Sequence, residues 1–297
     1  MMKKKLLALA AFSMLAGAAL AQNADTLEKI KSSGTVNLGV RDSSGLGYTL
    51  GNGKYVGFHT EMAERIVDDL AKQVGKPLKI NYQPMTSQNR MALVKNGVID
   101  FECSSTTHTK ARQKEVDFAL TTYVDETRVA VRADSGIQKL ADLNGKTVAV
   151  TTGSTSVQHL RRHERGSKLE FKEIMGKDHA DSFLLLESGR ADAFVMDGVT
   201  LAGSIAMSQN PQNFKILSQA LAAEPIACML RKGDDKFREA IDASIRRQMA
   251  DGSLQKLHEK YLMQPVAPAQ VSLNIPLSKS VKQAWAHPNR KPAEDDE

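Results

Sequence analysis

The chain has 297 residues, long enough for two modest lobes with buried cores. Its 40 Lys and Arg against 34 Asp and Glu leave a formal charge of +6, too mild a balance to argue for a nucleic-acid partner. Two cysteines, Cys103 and Cys228, exclude a disulfide-dense scaffold, and they lack the C-x-x-C spacing of a redox or zinc site.

The chain opens on Met1, Met2 and three lysines, followed by an apolar run from Leu6 to Leu20 broken only by Ser13 and Gly17. The run closes on Ala19-Leu20-Ala21, the small-x-small pattern of a signal-peptidase site. It is marginally short for a span of about 20 residues. No cysteine follows the cut to carry a lipid, and no later stretch reads as a membrane span. Residues 1–21 are therefore predicted to be an export signal removed before Gln22, leaving a soluble product. In an oxidising compartment the two cysteines allow one disulfide; two buried thiols are the alternative.

Thr35–Val40 alternates apolar residues and reads as a strand. Met62, Ile66 and Leu70 mark a helix over 58–74 that stops at Gly75 and Pro77. A short strand over 79–82 precedes a helix from Ser87 to Lys95 with Gly97 as its stop, then a strand over 98–103. Strands alternating with helices predict an α/β fold with a largely parallel sheet covered on both faces.

A second unit of similar design starts near Asp125. A strand over 146–152 turns through Gly153-Ser154-Thr155-Ser156 into a helix reaching Arg165, and a helix over 181–188 leads past Gly189 to a strand over 193–196. MALVKNGVIDFECSS (91–105) and FLLLESGRADAFVMD (183–197) share the order helix, glycine stop, strand, a weak internal echo. After Pro225 comes a strand over 226–231, a helix with Phe237, Ile241, Ile245 and Met249 on one face, and a shorter helix over 253–262. The polar last dozen residues read as a mobile tail.

Enzyme motifs are scarce: there is no G-x-S-x-G, Walker loop or G-x-G-x-x-G. His159 and His163 are four apart, but the Glu of a zinc protease is missing between them and Arg161, Arg162 and Arg165 crowd the helix. A solvated basic face is the better reading, and neither a metal nor a cofactor is expected. Hydroxyls and arginines instead gather where strands meet helices: Ser87 and Arg90; Ser105, Thr106, Thr107 and Arg112; Thr151, Ser154 and Thr155. Such loops hold small ligands in open α/β sheets, and an arginine fork suits a carboxylate.

The blocks TSQNR (86–90), DFECSSTT (100–107), ARQKEVDF (111–118), VTTGSTS (150–156), KDHADSF (177–183), LESGRADAFVMD (186–197) and CMLRK (228–232) stand in one order. In these the chain resembles the periplasmic solute-binding proteins of polar amino-acid ABC transporters, family 3, in the glutamate/aspartate branch. The resemblance covers nearly all of the chain after the signal. It implies the two-lobed periplasmic-binding-protein fold (type II), two βα lobes joined by two crossover strands near 122–127 and 224–228. Lobe 1 would comprise 22–124 and 225–285, lobe 2 residues 125–224, and the tail 286–297. Cys103 and Cys228 would then share a lobe, which favours the disulfide.

The resemblance also implies roles. Arg112 grips an α-carboxylate with Thr107, Thr151 and Ser154 or Thr155. Asp197, with Ser105 nearby, accepts the α-ammonium. Arg41, Ser87, Arg90 and His179 face the side-chain carboxylate. A neutral ligand would leave two buried guanidinium groups unpaired, which is costly. Three departures stand out: His59 where relatives place Asp or Ser, read as a helix-start difference; Ser104 where the branch has Gly; and Ser154 in place of Thr. The expected function is capture of L-glutamate or L-aspartate in the periplasm, as a monomer, for delivery to an inner-membrane ABC permease. The alternatives are a dehydratase-like enzyme on the same fold, with Glu102 as its acid although that side chain is read as pointing away from the ligand, and a ligand-sensing partner of a receptor.

Overall fold

The computed structural model describes residues 25–295; the export segment 1–21 lies outside them. In chain order the elements are α1 (Thr26–Ser33), β1 (Thr35–Val40), the hairpin β2 (Tyr48–Gly51) and β3 (Lys54–Val56), α2 (Phe58–Val74), β4 (Lys79–Pro84), α3 (Arg90–Lys95) and β5 (Phe101–Glu102). Then come α4 (Lys110–Gln113), the long β6 (Val116–Arg132), β7 (Thr147–Thr151), α5 (Ser156–Ser167), β8 (Lys172–Gly176), α6 (His179–Glu187), β9 (Ala193–Asp197) and α7 (Gly198–Met207). The chain continues through β10 (Phe214–Ile216), β11 (Ala222–Arg231), α8 (Asp235–Ala250), α9 (Ser253–His258) and α10 (Lys279–Ala286).

The main sheet runs β4-β1-β5-β11-β6-β9-β7-β8, with β10 beside β6. β4, β1 and β5 are parallel, as are β8, β7 and β9. Between these triplets β6 and β11 form an antiparallel pair from Thr127↔Ala222 to Val116↔Arg231, each strand reaching from one triplet to the other. The sheet is therefore mixed rather than largely parallel. The reason is topological: a chain that leaves one βα lobe and returns to it must cross twice in opposite directions. The internal echo has a structural counterpart, since α3–β5 delivers a strand to β11 and α6–β9 delivers one to β6.

Local chemistry explains the elements. Phe58, Met62, Ile66 and Leu70 recur every four residues, so α2 buries one face. It ends at Gly75, whose positive φ of 75° lets its N–H reach Ala71 O and Lys72 O. α8 does the same with Phe237, Ile241 and Ile245, capped by Asp234, which accepts from Phe237 N. These residues join Leu38, Phe101 and Leu230 in the core of lobe 1. Each such side chain contributes about 1.5–3 kcal/mol of burial. In lobe 2 the period-two alternation divides the core: Val148, Val150 and Val195 lie on one face, Ala149, Phe194 and Met196 on the other.

Three sequence expectations shift. Ser87 does not cap α3, which begins at Arg90; its hydroxyl instead accepts from Arg41. α6 begins at His179 because Asp178 accepts from Asp181 N. The segment after α10 does not hang free: Asn289 O accepts from Thr121 N at 2.9 Å, and Ala293 N donates to His108 O at 2.9 Å. Polar composition had hidden this backbone pairing with Thr121 of β6 and with His108 before α4. A disulfide joins Cys103, after β5, to Cys228 in β11. Among the described residues no helix is long and apolar enough to cross a membrane.

Candidate functional site

The carboxyl ends of the parallel strands in both lobes face one cleft, and every candidate residue lies on the segments that leave them. Arg41 follows β1; Ser87 and Arg90 follow β4; Ser105, Thr107 and Arg112 follow β5. From lobe 2, Thr151, Ser154 and Thr155 follow β7, His179 opens α6 after β8, and Asp197 ends β9. All are buried except Arg112, which is half-buried.

At one end Arg41 is the centre. Its Nε donates to Ser104 Oγ at 3.1 Å, and its Nη1 to Ser87 Oγ at 3.0 Å and to His179 Nε2 at 3.2 Å. Nη2 is buried without a hydrogen-bond partner. A guanidinium only donates, so His179 Nε2 accepts and the ring proton sits on Nδ1. Nδ1 then donates to Thr151 Oγ1 at 3.1 Å, and Thr151 donates to Ser182 Oγ at 2.8 Å. Ser182 donates to Asp178 O at 2.8 Å. Burial, reinforced by the charges of Arg41 and Arg90, holds the imidazole pKa well below its ordinary value, consistent with this neutral tautomer. The chain of donors spans the two lobes.

Arg90 is 2% exposed, and its Nε and Nη1 have no partner. Burial, then the neighbouring charges of Arg112 and Arg41, disfavours its protonated form. At the other end Arg112 donates to Thr107 O at 2.8 Å and across the cleft to Gly153 O at 3.3 Å. Thr107 and Thr155 hydroxyls meet across the cleft at 3.3 Å. Ser154 turns its hydroxyl to Thr151 O at 2.7 Å, and Ser105 Oγ is buried without a partner. Asp197 is 2% exposed and neither carboxylate oxygen has a partner. Burial, then Glu224 and Asp125, raises its pKa well above the usual carboxylate range. The cleft thus presents guanidinium donors at both ends and an unsatisfied carboxylate between elements of lobe 2.

Residues 36–264 match the model of the bacterial extracellular solute-binding proteins, family 3. The chain belongs to that family. It is 38% identical over 272 residues to the L-glutamate/L-aspartate-binding protein of Pseudomonas aeruginosa, covering 91% of this chain and 90% of that one. It is 37% identical over 297 residues to the glutamate/aspartate import solute-binding protein of Escherichia coli, covering 98% of each. Among solved structures it is similar to an ancestral amino acid-binding protein described as a precursor of cyclohexadienyl dehydratase. The TM-score there is 0.70 at 26% identity, over 80% of this chain and 99% of the other.

Within this family-3 cleft, sequence reasoning missed several residues. His159 is buried rather than part of a solvated face: its Nε2 lies 2.6 Å from Glu224 Oε1, which also accepts from Thr127 Oγ1 at 3.0 Å. Asp125 opposes Glu224 in the crossover pair and accepts from Val199 N at 3.1 Å, at the start of α7. His59 is more than a helix-start difference. It bridges Ser104 O at 2.7 Å and Thr122 Oγ1 at 3.0 Å. Glu102 is wholly buried behind Arg41 and accepts from Ser104 Oγ at 2.8 Å. From the sequence Glu102 is an acid read as pointing away from the ligand, without its link to Ser104. For Glu224, polarity inside an apolar strand was the one available signal, because a buried charge needs a partner.

Proposed function

We propose that this chain is a periplasmic carrier that binds L-glutamate or L-aspartate between its lobes and delivers it to an inner-membrane ABC permease. Residues 125–224 would move as one body against 22–124 and 225–285, and the closed pair would be what the permease reads. The observation that carries the reading is the arrangement of charge: Arg41 and Arg90, both buried with unpartnered N–H groups, beside His179 and Ser87. These would take a side-chain carboxylate. Arg112, with Thr107, Thr151 and Thr155, would hold the α-carboxylate, and Asp197 with Ser105 the α-ammonium. Relatives named for glutamate and aspartate support it.

Delivery rather than chemistry fits Glu102, the acid that the sequence offered for catalysis, because one of its oxygens is committed to Ser104. Incubation with a cyclohexadienyl acid is expected to give no product.

Calorimetric titration of the monomer tests the assignment. Glutamate and aspartate are expected to bind, and glutamine, asparagine and succinate to bind at least about a hundredfold more weakly, since each leaves a buried group unpaired. Arg90→Ala is expected to cost about 2–5 kcal/mol of affinity for glutamate. Amides that bind as tightly as the acids would overturn the reading.

A further inference from the structure

Glu102 and His59 each contact Ser104 behind Arg41, whose Nη2 has no protein partner. Ser104 is the node. Its hydroxyl proton goes to Glu102 Oε2 at 2.8 Å, since a carboxylate only accepts. The hydroxyl lone pairs are therefore left for Arg41 Nε, which donates at 3.1 Å. The Ser104 carbonyl accepts from His59 Nδ1 at 2.7 Å, and Thr122 Oγ1 lies 3.0 Å from the other ring nitrogen. Burial keeps the His59 pKa at about 4, so the neutral ring donates from Nδ1 and accepts at Nε2. The Ser104 backbone is thus pinned to a crossover strand. Gly39 lets β1 lie close enough for this, as a Cβ there would stand 2.8 Å from Glu102 Cβ.

From this geometry we propose that Glu102 and Ser104 are positioning residues that set the preference for an acidic over an amide side chain, acting through Arg41. The inference rests on the carrier reading above and goes further by naming how the choice is made. Ser104 locks the guanidinium with one N–H directed away from the protein donors and acceptors, and Glu102 supplies a counter-charge that partly satisfies it. The two act with opposite sign. Removing the hydroxyl frees the fork and weakens its grip on a carboxylate. Removing the Glu102 charge while keeping an oxygen acceptor leaves Arg41 with one fewer anion and strengthens its demand for one in the ligand.

The test is the ratio of glutamine Kd to glutamate Kd in wild type, Ser104→Ala and Glu102→Gln, by calorimetry at one ionic strength. Ser104→Ala is expected to lower the ratio about tenfold and Glu102→Gln to raise it by a similar factor, the scale of one charged hydrogen bond. Loss of packing alone would weaken both ligands together and leave the ratio unmoved, and that result would overturn the proposal. Thermal unfolding of each variant checks that it folds; if Glu102→Gln does not, the direction of Ser104→Ala decides. Wild type that fails to discriminate between the two ligands would instead refute the carrier reading itself.

Discussion

Asp197 carries the sharpest consequence of single-residue chemistry in the cleft. Its pKa lies well above the ordinary range because it is buried, with Glu224 and Asp125 adding negative charge nearby. An ammonium placed against it reverses the balance and favours ionisation. Ligand uptake at a pH below the free-state pKa must then release a proton, and affinity must rise with pH until that pKa is passed. Calorimetry in buffers of different ionisation enthalpy should show proton release for wild type and none for Asp197→Asn. Equal release in both would assign the proton to another group. Asp125 is the nearest rival, with its pKa pushed up to about 7 by burial, but its oxygens already accept from Glu126 N and Val199 N.

At the scale of elements, the proposed closure would depend on places where one lobe's backbone meets the other's. Gly45, in the loop between β1 and β2, lies so close to α7 that a Cβ would stand 2.0 Å from Val199 O. Gly153 after β7 meets Ser87 O in the same way at 2.8 Å. Neither obstacle is a flexible side chain, so a methyl group must hold the lobes apart. Gly45→Ala is expected to lose at least about tenfold in glutamate affinity, the cost of overpacking a close contact, while each lobe folds as before. Gly166→Ala on α5 meets nothing within 4 Å and serves as the control; it should leave affinity unchanged and add up to about 1 kcal/mol of helix stability. Small-angle scattering that showed Gly45→Ala closing normally on ligand would remove this account of the glycine. The helices beside the Gly153 contact, α3 and α5, were legible from their turn and stop signals, whereas α7 beside Gly45 was not read from the sequence. Neither were the contacts, since a glycine in a loop gives no sign of what it will face.

For the whole molecule, the Cys103–Cys228 bond matters most. It joins the segment after β5 to the crossover strand β11 across a separation of 125 residues. Closing so long a loop in the unfolded chain lowers its entropy, a stabilisation of about 4–5 kcal/mol in the chain-entropy model. Replacing both cysteines by alanine should lower the urea-derived unfolding free energy by about that much. A change under about 1 kcal/mol would show that the unfolded state already keeps these strands together.

What the residues determined alone is local. Alternating and four-residue periods placed most strands and helices, because side-chain direction follows from backbone geometry within a few residues. The hydroxyl and arginine clusters at strand ends marked the cleft for the same reason, and a resemblance of motif order supplied their roles. Tertiary structure decided who meets whom. Arg41 and His179 are 138 residues apart, and their contact exists because two lobes face each other. Glu102 turned out to stand behind Arg41 through Ser104, a matter of how closely β1 and β5 approach. The extent of the β6–β11 pairing beyond the crossovers that the resemblance implied near 122–127 and 224–228, and the backbone contacts of Asn289 and Ala293, were likewise not written in the sequence. Both depend on backbone groups finding distant partners, and backbone groups carry no sequence signature.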